Sequence, residues 1–240
     1  MISNCLAILI HGKWSHPNTP LLRILEKELK EKNYIVTKPN MPWSRTRQYD
    51  QPYEEALKDL SKIIQKYKKD GVKKIILIGH SIGANAAIAY QSYIGDADAI
   101  VAITPGHSPY YMYERNKHHA YIVKKAEDKI KKNENKSLIN FFDLNCGIER
   151  KFNSSADIFF SYFNPQGLGH MPTSIKNFKN PTPLLYIEGA TDHIRTGPER
   201  IFLKAPHHTL STYILTSGNH ITTPEISSKQ IVNWLNFLTN

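Results

Sequence analysis

Short apolar runs alternate along the chain with longer stretches whose apolar residues recur at helical spacing. Residues 6–10, Leu-Ala-Ile-Leu-Ile, form the first run and predict a core strand. Leu21, Leu25 and Leu29 then step by four behind Thr19, a candidate cap, and Pro20, which suits a first helical turn. Residues 34–36 read as a strand and lead into a loop through Pro39 and Pro42. Tyr53, Leu57, Leu60, Ile64 and Tyr67 line one face of a helix that Asp70-Gly71 ends. Residues 74–78 are apolar after Lys74, as in a strand buried on both faces. Residues 82–93 read as a helix whose Ala84, Ala86, Ala87 and Ala89 permit close packing. Residues 99–103, 184–187 and 212–215 are further strands, and a final helix from about Pro224 carries Ile231, Trp234, Leu235 and Leu238 on one side. Strands alternating with helices predict an α/β fold, a mostly parallel central sheet with helices on both faces.

The alternation breaks after the strand ending near Thr104. Residues 106–180 hold a Lys-rich helix, the aromatic runs Tyr110-Tyr111-Met112-Tyr113 and Phe141-Phe142, and Gly/Pro-marked loops. The expectation is a single domain over residues 1–240, with an insertion at about 106–180 forming a cap or lid over the sheet's carboxyl edge. The Tyr110–Tyr113 run suits either an acyl pocket or packing beneath the insertion.

Length and composition narrow the classes. At 240 residues the chain can bury roughly 70% or more of its unfolded surface without a disulfide or metal staple. No apolar run approaches the ~20 residues that cross a bilayer. The run at residues 6–10 stops at His11-Gly12, which does not fit a signal peptide, so a cytoplasmic protein with free thiols at Cys5 and Cys146 is expected. The net charge of +10 admits an anionic membrane or nucleic acid as partner. Yet the 28 Ile against 5 Val, with 18 Asn, match the codon bias of an AT-rich genome, which raises Lys without any partner. The densest lysine cluster, 124–136, also contains Glu127, Asp128 and Glu134, as on a solvated helix face. No nucleic-acid partner is expected, and no feature of the sequence specifies an oligomeric state.

Gly79-His80-Ser81-Ile82-Gly83 matches G-x-S-x-G between a buried strand and an Ala-rich helix. A sharp turn there projects Ser81 above the sheet edge, and the flanking glycines let backbones pass closely. The N–H of Ile82 then faces any oxyanion formed on a substrate. A serine needs a base, and the base needs an orienting acid. Each later strand offers one at its carboxyl end: Asp192 after residues 184–187 and His220 after residues 212–215. Glu188 is the reserve acid, and His207 and His208 are reserve bases, although they precede their strand. A second oxyanion donor is expected after residues 6–10, from the N–H of Lys13 or Trp14, with Lys13 nominated. His11 and His80 are read as scaffold within their motifs. The pairs His118-His119 and His207-His208 lack any HExxH or paired CxxC, so no metal is expected. The absence of GxGxxG and GxxxxGK[ST] leaves a nucleotide-cradling loop without support.

The sequence resembles the α/β-hydrolase superfamily through His11-Gly12, Gly79-His80-Ser81-Ile82-Gly83, Gly189-x-x-Asp192 and Gly218-Asn219-His220 with Pro224-Glu225. The resemblance implies an eight-stranded type of sheet, a cofactor-free Ser-His-Asp site, and hydrolysis of an ester, thioester or amide. The chain begins at what would be the third strand of that pattern. Ser81 argues against the epoxide and haloalkane chemistry for which the resembling enzymes use an aspartate.

The leading expectation is a serine hydrolase acting on a small or medium acyl ester through an acyl-enzyme, with a small-molecule acyl substrate as its partner. A thioesterase or amidase, or a non-catalytic binding protein on the same scaffold, is the alternative. Blander readings exist for each residue: Ser81 as a helix cap, Asp192 as a turn cap, His220 as a surface histidine.

Overall fold

A computed structural model describes residues 4–239. Among these, β1 (Cys5–Ile10), β2 (Ile35–Thr37), β3 (Lys74–His80), β4 (Ala99–Ile103), β7 (Leu184–Gly189) and β8 (Thr212–Thr216) form one parallel sheet in the order β2-β1-β3-β4-β7-β8. The sheet thus has six strands among the described residues, not the eight that the resemblance implies, because residues 6–10 supply the first of them.

Period-2 alternation explains the two cores. Ala7 and Leu9 of β1, Ile76 and Ile78 of β3, and Ala99, Val101 and Ile103 of β4 face one side. There they meet α1 (Arg23–Glu31) through Leu25 and Leu29, and α9 (Ser228–Thr239) through Ile231 and Leu235. The intervening residues, Leu6, Ile8, Ile10, Ile75 and Leu77, face α2 (Tyr53–Lys69) and α3 (Ile82–Tyr93). Thr19 makes no side-chain cap, contrary to expectation. A 3-10 turn at Pro20–Leu22 precedes α1 and takes up the role of the first turn. The last helix is also divided, a short α8 (Thr223–Ile226) preceding α9.

Residues between β4 and β7 form α4 (Pro109–Arg115), α5 (Lys117–Lys131), a hairpin of β5 (Leu138–Asn145) and β6 (Ile148–Ser155), α6 (Ala156–Phe163) and α7 (Met171–Lys176). The Lys-rich helix ends at Lys131, so Lys136 falls outside it, contrary to the 124–136 reading. The hairpin escaped notice in the sequence. Its inner face carries Ile139, Phe141, Phe152 and Asp143, packed with Phe159 and Phe163 of α6, while Leu138, Phe142 and Leu144 point outward. Tyr110 and Tyr111 are half exposed, whereas Met112 and Tyr113 pack on the core.

No helix among the described residues is long and apolar enough to cross a membrane. Neither Cys5 nor Cys146 forms a disulfide.

Candidate active site

The sheet register assembles the site. Ile10 pairs with Gly79, His80 with Ile103, Ile103 with Ile187, and Gly189 with Thr216. The carboxyl ends of five strands therefore finish side by side, and the loops that leave them converge. Ser81 stands between β3 and α3 with φ 57° and ψ −125°, a left-handed conformation that costs a non-glycine residue about 1–3 kcal/mol. Tight approach on both sides holds it there: a Cβ on Gly79 would lie 2.1 Å from the Gly83 carbonyl oxygen, and one on Gly83 would lie 2.3 Å from that of Ile10. The Ser81 N–H donates to the Ile103 carbonyl at 3.0 Å.

Ser81 occupies the cap position of α3, yet its hydroxyl makes no cap bond. Instead Oγ lies 3.0 Å from His220 Nε2, and His220 Nδ1 donates to Asp192 Oδ2 at 2.8 Å. Since Asp192 accepts at Nδ1, the tautomer leaves Nε2 as an acceptor for the Ser81 hydroxyl. The other Asp192 oxygen accepts the Ile194 N–H at 3.1 Å, so this carboxylate caps its turn and bonds His220 at once. Burial pushes its pKa upward, but the bonds from His220 and Ile194 outweigh this and hold Asp192 below the usual carboxylate range. All three residues are buried, at 6–7% exposure.

The reserve candidates lie elsewhere. Glu188 accepts the Thr196 and Gly197 N–H groups at 2.7 and 3.0 Å and the Tyr213 hydroxyl at 2.8 Å, which ties down the loop beyond Asp192. His208 lines a cleft of about 270 Å³ with Lys74 and Asp98, at the opposite edge of the sheet. His118 is exposed and His119 buried, and no group of three or more His, Cys, Asp or Glu residues among those described could hold a metal ion.

For the oxyanion donors, the Trp14 N–H is already engaged, donating to the Trp43 carbonyl at 2.8 Å. The N–H groups of Lys13 and Ile82 have no acceptor among the described contacts. Gly12 opens a tight turn, its carbonyl accepting the Ser15 N–H at 3.3 Å. Trp14 takes the left-handed conformation, at φ 54°, while a Cβ on Gly12 would come within 3.2 Å of Ser81 Cβ. This brings the Lys13 segment against the serine.

Asn85 and His107, which sequence reasoning passed over, brace these loops together with His11 and His80, which it read as scaffold. Asn85, buried in α3, accepts the Gly106 and His107 N–H groups with Oδ1 and donates to the His107 carbonyl. A lone asparagine among alanines was the available signal. His107 donates to the Tyr162 carbonyl at 2.7 Å. His80 donates to the His220 carbonyl, and His11 bridges the Gly12 carbonyl and the Met41 N–H. Burial pushes His11, His80 and His107 down to about 4, so each stays neutral.

No protein-family model matches the sequence, and no curated protein matches it. Solved structures do. Est1E from Butyrivibrio proteoclasticus, described with ferulic acid bound, aligns with a TM-score of 0.68 at 15% identity over 98% of this chain and 90% of its own. The monoacylglycerol lipase of Paleococcus ferrophilus gives 0.67 at 20% identity over 96% and 93%. The Pyrococcus furiosus esterase Pf2001 gives 0.63 at 18% identity over 98% and 82%. Each likeness runs nearly the length of both chains, and the fold is that of the α/β-hydrolases.

Proposed function

We propose that the protein is a serine hydrolase that cleaves a small or medium acyl ester through an acyl-enzyme. The observation that carries the reading is the continuous hydrogen-bonded line from Ser81 Oγ through His220 to Asp192. His220 Nε2 takes the Ser81 proton as Oγ attacks the ester carbonyl. The resulting oxyanion lies toward the N–H groups of Lys13 and Ile82. His220 returns the proton to the departing alcohol, then takes one from a water whose oxygen attacks the acyl carbonyl, and gives it to Ser81 Oγ as the acyl–Oγ bond breaks and the acid leaves. Asp192 keeps the imidazole in the required tautomer and stabilises its cation. Thioesters and amides are acyl donors of the same kind. That an esterase and a monoacylglycerol lipase are among the structural neighbours supports the ester first.

The test is turnover of p-nitrophenyl esters and acyl thioesters of graded chain length, together with fluorophosphonate labelling, beside Ser81→Ala. The wild type is expected to turn over and to be labelled, and Ser81→Ala to do neither. Equal labelling of both proteins sinks the proposal. Ligand binding without turnover favours a non-catalytic binding protein instead.

A further inference from the structure

The loop that carries Lys13 does not hold itself in place. Lys13 Nζ, its side chain 7% exposed, pairs at 2.7 Å with Asp143 Oδ1, whose side chain is fully buried, and also donates to the Leu144 carbonyl at 3.3 Å. Trp14 Nε1 donates to Asp143 Oδ2 at 3.2 Å, and the Tyr49 hydroxyl donates to the same oxygen at 2.5 Å. Burial, with Asp143 beside it, pushes the Tyr49 phenol well up, so it remains a donor. From the hairpin's end, Asn145 Nδ2 donates to the Lys13 carbonyl at 3.2 Å, and the Arg150 guanidinium lies 4.8 Å from the centre of the Trp14 ring. Contacts from β5 and β6 thus bear on two consecutive residues about 130 positions earlier, and they leave the Lys13 N–H without an acceptor.

A buried ion pair is weak evidence for stability, because desolvation offsets the attraction. Its value lies in geometry. Asp143 receives three donors from two loops, so it has one low-energy position, and so has Lys13. We propose that Asp143 is a positioning residue: from the insertion's hairpin it fixes the Lys13 segment so that the Lys13 N–H faces the oxyanion. This rests on the hydrolase reading above. The residue touches no reacting atom and acts through Lys13.

The experiment uses the full-length protein and the variants Asp143→Asn and Lys13→Met, the latter keeping its backbone N–H. On an ester that the wild type turns over, each variant is expected to lose about 10- to 100-fold in kcat, with KM within about threefold. The double variant should lose no more than the worse single one. Hydrogen exchange in a peptide spanning residues 12–15 should quicken, while peptides from β3 and α3 hold their rates. A lower melting temperature with kcat of the folded protein unchanged marks a merely structural role and overturns the proposal. Should Asp143→Asn fail to fold, Lys13→Met decides. If the wild type turns over no acyl donor, the hydrolase reading fails by itself. Exchange then decides the positioning, and unchanged rates at residues 12–15 overturn it.

Discussion

His80 Nε2 donates to the main-chain carbonyl of His220 at 2.9 Å, so the residue that precedes the serine grips the backbone of the imidazole that bonds it. The two rings lie 5.1 Å apart. Burial, and then the neighbouring His220, push His80 down to about 4, which keeps it a neutral donor at ordinary pH.

Replacing that donor should therefore harm the reaction more than the fold. His80→Phe keeps a ring of similar size and leaves the His220 carbonyl unpaired. A fall of about 10-fold in kcat at nearly constant KM is expected, with partial recovery in His80→Gln, which can still donate. Steady-state kinetics on the best p-nitrophenyl ester check this.

The two acids should part company. Asp192→Asn offers His220 the wrong partner and should lower kcat by about 10³- to 10⁴-fold while the fold persists. Glu188→Gln keeps the shape but removes the charge that holds Thr196, Gly197 and Tyr213. It should cost stability, about 1–3 kcal/mol, and leave most of the activity. Paired kinetics and urea unfolding of the two variants distinguish them.

Gly106 adjoins the Ser81 hydroxyl and the His220 ring. A Cβ there would lie 2.8 Å from Ser81 Oγ and 2.9 Å from His220 Cε1. Gly106→Ala should part the Ser81–His220 hydrogen bond, and a loss of more than about 100-fold in kcat is expected. A melting temperature within a few degrees of the wild type, roughly a 1 kcal/mol effect, would place the damage in the site.

Acid should loosen the fold earlier than carboxylates alone would. Burial lowers His11, His80, His107 and His119 from an ordinary 6.5 to about 4. Above pH 6.5 each is neutral whether folded or unfolded, and stability is fully present. Between there and about 4 the unfolded chain binds protons that the folded one refuses, so stability falls with pH, by on the order of 3 kcal/mol per group at the full shift. Urea midpoints measured from pH 8 to pH 4.5 should begin to drop near 6.5. A flat profile down to pH 5 contradicts this.

The strands were legible because a buried parallel strand is apolar on both faces: residues 99–103 and 74–78 stand out from their surroundings by composition alone. The candidate residues Ser81, Asp192 and His220 stand out because each lies within four residues of the carboxyl end of a strand, although β8 is itself half exposed. The hairpin was not legible, since a buried Asp143 breaks its apolar alternation and outward Leu138, Phe142 and Leu144 blur it. Its one local signal was Cys146-Gly147, a two-residue turn with φ 48° and 78°, the hand that suits a hairpin. Asp143 itself reads as a surface charge until Lys13, Trp14 and Tyr49 are seen around it, and nothing local links those positions. Asn85 was hidden likewise, its partners at Gly106 and His107 lying about 20 residues away.

The hydrogen bond between Ser81 and His220 spans 139 positions of sequence. A ribosome that has made the serine, its elbow and the hairpin still holds a chain without the histidine. Under the proposed mechanism the growing polypeptide has no base for its serine until β8 and the turn after it have been laid down, and any truncation before that point should yield an inert product, however well its earlier strands assemble.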